Sequence, residues 1–132
     1  MRILKQYLVP LWLFLLFSFL LTLGWNIHRY LATSACTMLN LTETVEAAVK
    51  KGEWATAEKV YRQAEKKWDQ ISKYWPLLIH HQEIDRIEEC LSRMKSFLQQ
   101  RNRSDSLAEI YLLQNFLRHV PANKALKLHN IF

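Results

Sequence analysis

Glycine and proline are scarce: the 132-residue chain has two of the first and three of the second. A fold built from many tight turns is thereby excluded, and long helices with few interruptions remain. Cysteine occurs only at Cys36 and Cys90, which makes neither a disulfide framework nor a metal knuckle. Both read as separate, partly buried thiols, with pairing left open because they fall at similar heights along their helices. There is no glycine-rich phosphate loop, nucleophile elbow or repeated motif, so the usual signs of nucleotide binding and acyl transfer are missing.

Acidic residues are the minority, 12 against 18 lysines and arginines, for a formal charge of +6. Arg2 and Lys5 hold two of these charges, which leaves +4 from Asn26 onward. The excess is modest, and its members alternate with glutamates along helices instead of forming a basic arm interleaved with aromatics. This suits an anionic membrane surface better than nucleic acid, and no nucleic-acid partner is expected.

Charge of either sign is absent from Leu8 to Trp25, LVPLWLFLLFSFLLTLGW. As a helix this run reaches roughly 27 Å, enough to cross a bilayer core. A cleaved signal peptide starts similarly. Here, however, Asn26, His28, Arg29 and Tyr30 follow directly, and the small-residue stretch Ala32 to Cys36 lies about ten residues too late for cleavage. A lipoprotein with Cys36 lipidated is disfavoured by Thr33 and by the early end of the apolar run. Residues 1–25 are therefore expected to form a cytoplasmic stub and transmembrane anchor, in the lipid bilayer through residues 8–25. Arg2 and Lys5 against Arg29 favour an inside amino terminus, which makes residues 26–132 the extracytoplasmic helical domain of a single-pass cell-membrane protein.

Nothing between Gly24 and Gly52 breaks a helix. The span is expected to continue outward along Leu31, Met38, Val45 and Ala48 and to stop at Lys50-Lys51-Gly52, with a capping box at Asn40 to Glu43 as an alternative break. Next, Trp54, Ala57, Tyr61, Ala64, Trp68, Ile71 and Trp75 recur at alternating spacings of 3 and 4. From Leu77 the same spacing returns through His80, Ile84, Ile87, Leu91, Met94 and Leu98. The two stripes predict an antiparallel hairpin turning at Tyr74 to Pro76, with Pro76 in the opening turn of the next helix. A lone hairpin buries too little apolar surface to stand by itself. Ser106 to Val120 adds to it, opening on a capping box of Ser106 and Glu109, presenting Ile110, Leu113, Leu117 and Val120, and closing at Pro121. The tail with Leu126, Leu128, Ile131 and Phe132 is expected to dock on the bundle. The expected fold class is all-α: an N-terminal transmembrane helix followed by an antiparallel four-helix bundle-like domain.

Several segments together carry a family likeness. Trp54 and Trp68 on one helix, His81-Gln82-Glu83-Ile84-Asp85 followed by Ile87-Glu88, and Leu128 to Phe132 ending in Asn-Ile-Phe resemble domain-of-unknown-function family 4363, small single-span proteins of Gram-positive bacteria. The resemblance covers essentially the whole chain, and HQEID and the final NIF are its most specific parts. It implies no established activity, substrate or cofactor. It does imply a membrane-protein partner, through neighbouring genes for other membrane proteins. Gly52-Glu53-Trp54, Ala57, Tyr61 and Ala64 are also similar to one helix of a tetratricopeptide unit, which would point to peptide binding, but residues 86–119 do not repeat that pattern.

The stretch His80 to Asp85 concentrates polar chemistry. His80 falls on the apolar stripe and reads as a buried neutral imidazole. His81, Asp85 and Glu88, at i, i+4 and i+7, share an adjacent stripe. They suit a polar network with His80 and an arginine such as Arg118 or Arg29, or half of a divalent-metal site completed by carboxylates or by His119 from another helix. No nucleophile, oxyanion donor or substrate pocket is marked, so no catalytic residue, no cofactor and no enzyme activity is expected.

Topology offers another surface. If the first helix runs outward about 38 Å from Asn26 to Lys51 and the second returns, the turn at Tyr74, Trp75, Leu77 and Leu78 comes back toward the bilayer, with Lys66, Lys67 and Lys73 nearby. The last helix would bring Ile131 and Phe132 to the same level. Plugging the end of the core is the other role open to these groups. The expected function is non-catalytic binding or structural support toward a membrane or envelope partner, with a metal- or small-ligand-binding sensor centred on His81, Asp85 and Glu88 as the alternative. Oligomeric state is not fixed by the sequence.

Overall fold

With no glycine or proline between Gly24 and Gly52, the first helix has nothing to stop it, and in the computed structural model α1 spans Arg2–Lys51. The structure describes residues 2–129, and side chains from 7 to 120. At the end of α1, Gly52 takes a φ of 73°. Its N–H and that of Glu53 return to the carbonyls of Val49 and Ala48 at 3.1 and 2.9 Å. This pair of bonds closes the helix around a left-handed residue, a conformation glycine adopts without strain. The alternative break at Asn40 does not form. Thr42 and Thr44 turn their hydroxyls back on the carbonyls of Leu39 and Asn40, and Thr42 packs in the core.

After α1 come α2 (Trp54–Ile71), a 3-10 turn at Trp75–Leu77, α3 (His81–Gln99) and α4 (Arg103–His129); among the described residues there is no strand. The chain divides into two compact units, Met1–Tyr30 and Leu31–Phe132. In the first, the large apolar side chains from Tyr7 to Trp25 are exposed.

In the second unit, buried residues recur at spacings of 3 and 4 on every helix. They are Leu31, Ala35, Met38, Thr42, Val45 and Val49 on α1, and Ala57, Tyr61, Ala64, Trp68 and Ile71 on α2. On α3 they are Ile84, Ile87, Leu91, Met94 and Leu98, and on α4 Ser106, Ile110, Leu113, Leu117 and Val120. Stripes of this 3.5-residue period pack along a shared seam, and all four helices contribute to one core. Cross-helix pairs set the directions. Tyr61 donates its hydroxyl to the Leu91 carbonyl at 2.7 Å, and Arg93 on α3 meets Glu109 on α4. Gln114 donates to Glu46 at 2.9 Å, while Arg103 donates to the Lys50 carbonyl at 2.8 Å. Ascending positions on α1 thus meet descending positions on α4, and the antiparallel bundle closes on itself.

Three sequence expectations change. The hairpin connection is longer than Tyr74 to Pro76: Pro76 sits inside the 3-10 turn and α3 opens only at His81. Leu78 and Ile79 both donate to the Trp75 carbonyl, at 2.8 and 2.9 Å. This tight winding turns Leu77 out to 83% exposure and puts Ile79 inside, in the place expected of His80, which is exposed. Next, α4 opens on Asn102 instead of Ser106. The Asp105 N–H donates to Asn102 Oδ1 at 3.1 Å and Asn102 Nδ2 to Asp105 Oδ2 at 2.7 Å, a reciprocal cap that leaves Ser106 for the core. Finally, α4 continues through Pro121 to His129. A φ fixed near −65° is itself helical, so the backbone cost is one missing donor. The docking expected of Ile131 and Phe132 lies outside the described residues.

Candidate functional site

His81 opens α3, and His80 precedes it in extended backbone. His81, Asp85 and Glu88 share one strip of that helix and all three are exposed. Glu83 and Arg86, roughly half a turn around the helix, instead face α4. His119 belongs with this second pair, and Arg118 reaches toward Glu43 of α1 at 3.8 Å. Of the partners considered for the His81 strip, His119 and Arg118 are therefore drawn elsewhere. Among the described residues no group of three or more His, Cys, Asp or Glu side chains is placed to hold a metal ion.

Glu83 and Arg86 from α3 and Asn115, Phe116, His119 and Val120 from α4 line an open cleft of about 220 Å³. The Arg86 guanidinium lies 6.0 Å from the Phe116 ring centre, at the outer reach of a cation–π contact. No sequence motif marks this cleft, because only the antiparallel register of α3 and α4 brings its residues together.

Further along the same interface, Arg93 joins Glu109 at 2.9 Å and also pairs with Glu89. Cys90 lies buried beside them as a free thiol, and Cys36 is a free, exposed one. Burial, together with the Glu109 carboxylate, pushes the Cys90 thiol up to about 11, which disfavours thiolate chemistry at neutral pH. Burial likewise raises Tyr61 well above the ordinary phenol value, so its hydroxyl stays a donor to Leu91. For Glu46 burial works toward the neutral form, but Lys50 and Gln114 outweigh it and hold the carboxyl below its ordinary 4.5. These polar groups clamp helices to one another.

At the connection between α2 and α3, Trp75 is wholly buried. Its Nε1 donates to Ser34 Oγ at 3.2 Å, and its ring meets Trp68 edge-on at 5.2 Å between centroids. Of the surface expected there, Trp75 is thus a core residue and Leu78 is half-buried, whereas Tyr74 and Leu77 are exposed. The wedge of Trp75 against Ser34 has no local signature, since the two stand 41 residues apart.

Taken together, these features define an all-α bundle protein whose first helix is long and apolar enough to cross a membrane. No curated protein and no solved structure matches the chain. It belongs to the family described as Domain of unknown function (DUF4363), which it matches over residues 26–131.

Proposed function

We propose that this protein is a single-pass membrane protein whose outward-facing bundle binds a membrane or envelope partner without catalysing a reaction. One observation carries the proposal: no residue in the most hydrophobic stretch of α1 is buried. Side chains such as Phe14, Leu16 and Leu20 each forgo about 1.5–3 kcal/mol while they face water, and a bilayer is the surrounding that restores it. Arg2 and Lys5 before the run, against Arg29 after it, support an inside amino terminus. A binding role is supported by the employment of Glu46, Tyr61 and Arg93 in contacts between helices.

In membranes from cells making the full chain, the protein is expected to resist alkaline carbonate extraction. A Leu15→Arg, Leu16→Arg variant, at about 2.5–3.5 kcal/mol per arginine near the helix centre, should be released. The exposed Cys36 should react with an impermeant maleimide in intact cells, and cross-linking should yield a discrete heteromeric product. Carbonate release of the unaltered chain would overturn the anchor. Labelling of Cys36 only after lysis would reverse the orientation, and absence of any discrete product would remove the partner.

A further inference from the structure

We propose that the tip between α2 and α3 docks on anionic phospholipid: Leu77 and Tyr74 enter the headgroup region of the bilayer, and Lys66, Lys67 and Lys73 hold them there. Leu77, at 83%, is the most exposed large apolar side chain described in the second unit, and Tyr74 beside it is 58% exposed. Their exposure is built in. Trp75 on one side is fixed by Ser34 and Trp68, and Ile79 on the other is buried, so Leu77 cannot fold back without withdrawing a core residue.

On the α2 side of the tip basic charge is in excess, with Glu83 and Asp85 standing across it in the first turns of α3. Of the acids on α2, Glu58 pairs with Arg62 and Glu65 with Lys95. Lys66, Lys67 and Lys73 have no ion pair among the described residues, and Asp69 is the one acid left among them. An acidic protein would satisfy these lysines but would also have to supply a pocket for Leu77. The interface of an anionic bilayer accepts both, because its headgroups attract lysine and its outer acyl region receives leucine and tyrosine. This inference rests on the anchored reading above, under which the chain's own apolar helix keeps a bilayer within reach.

The test uses the full chain in a Cys36→Ser background, reconstituted in vesicles of phosphatidylcholine alone or mixed with phosphatidylglycerol. An environment-sensitive fluorophore is placed on Leu77→Cys, or in a separate sample on Leu16→Cys, and lipid-borne quenchers report contact. The expected result is quenching at position 16 in both vesicles and at position 77 only with phosphatidylglycerol. Lys66→Gln, Lys67→Gln and Lys73→Gln together should weaken the contact at 77 roughly a hundredfold, about fivefold per lysine, with helicity unchanged. Quenching at 16 with position 77 in water in both vesicles would overturn the tip contact and leave the anchor standing. Quenching at 77 that ignores both phosphatidylglycerol and the lysines would overturn the anionic-lipid assignment. Position 16 in water would overturn the anchor and the tip contact with it.

Discussion

Arg101 holds a φ of 53°, in the left-handed region where a side chain is strained. It stands after α3 as Gly52 stands after α1. The Arg101 N–H returns to the Leu98 carbonyl at 3.1 Å and the Asn102 N–H to the Phe97 carbonyl at 3.0 Å, the same closing pair of bonds on a residue poorly suited to it. Arg101→Gly is therefore expected to raise stability by about 1 kcal/mol and the Tm by a few degrees, as followed by thermal circular dichroism in detergent. A fall in Tm would mean that the arginine side chain contributes more than its backbone costs. The same residue hides the start of α4 from local sequence pattern. Without a glycine to mark the end of α3, the next conspicuous cap is Ser106 with Glu109, although Asn102 with Asp105 already caps the helix.

Between elements, α4 closes the bundle against α1 through a polar contact in which Gln114, 2% exposed, donates to Glu46. Gln114→Leu should cost about 1.5–3 kcal/mol at neutral pH, the range for a hydrogen bond to a charged group. Because the folded state holds the Glu46 carboxyl below 4.5, its contribution is complete above that value and disappears as pH falls through the lowered one. The gap between the variant and the unaltered chain should accordingly narrow in acid, as measured by urea unfolding in detergent at neutral pH and well below 4.5. A gap independent of pH would show that packing, not the carboxylate, is what the glutamine supplies. The helices themselves are legible because apolar residues repeat at 3 and 4 in α2 and α3, and the break at Gly52 is legible because it is the first glycine or proline after Gly24, although Asn40 to Glu43 offers a rival cap. The site is less so. A stripe through Leu77 and His80 requires α-helical winding, whereas the 3-10 turn at Trp75–Leu77 advances three residues per turn and shifts the phase until Ile84. His81, Asp85 and Glu88 lie on one exposed strip of α3, but which groups lie near them depends on the register of α4, which no local pattern encodes.

For the molecule as a whole, all four helices meet in one core, and α1 brings Leu31, Met38, Val45 and Val49 to it. The distal half of α1 is thus part of the bundle's cooperative unit even though its proximal half is apolar and uncovered. Because buried residues from all four helices share one cluster, the unit Leu31–Phe132 should unfold in a single transition. Leu113→Ala on α4 should lower its stability by about 2–5 kcal/mol. Val45→Ala on α1 should lower the same transition by a smaller amount, since fewer methyl groups leave the core. Both variants are to be followed in detergent by far-ultraviolet circular dichroism and by the fluorescence of the buried Trp68 and Trp75. The two signals should move together in each variant, with a residue of helical signal surviving from the apolar run. If Val45→Ala instead splits the transition, with α1 departing while tryptophan fluorescence stays native, α1 is a tether laid against a three-helix domain, and the four-helix core is not the unit that folds.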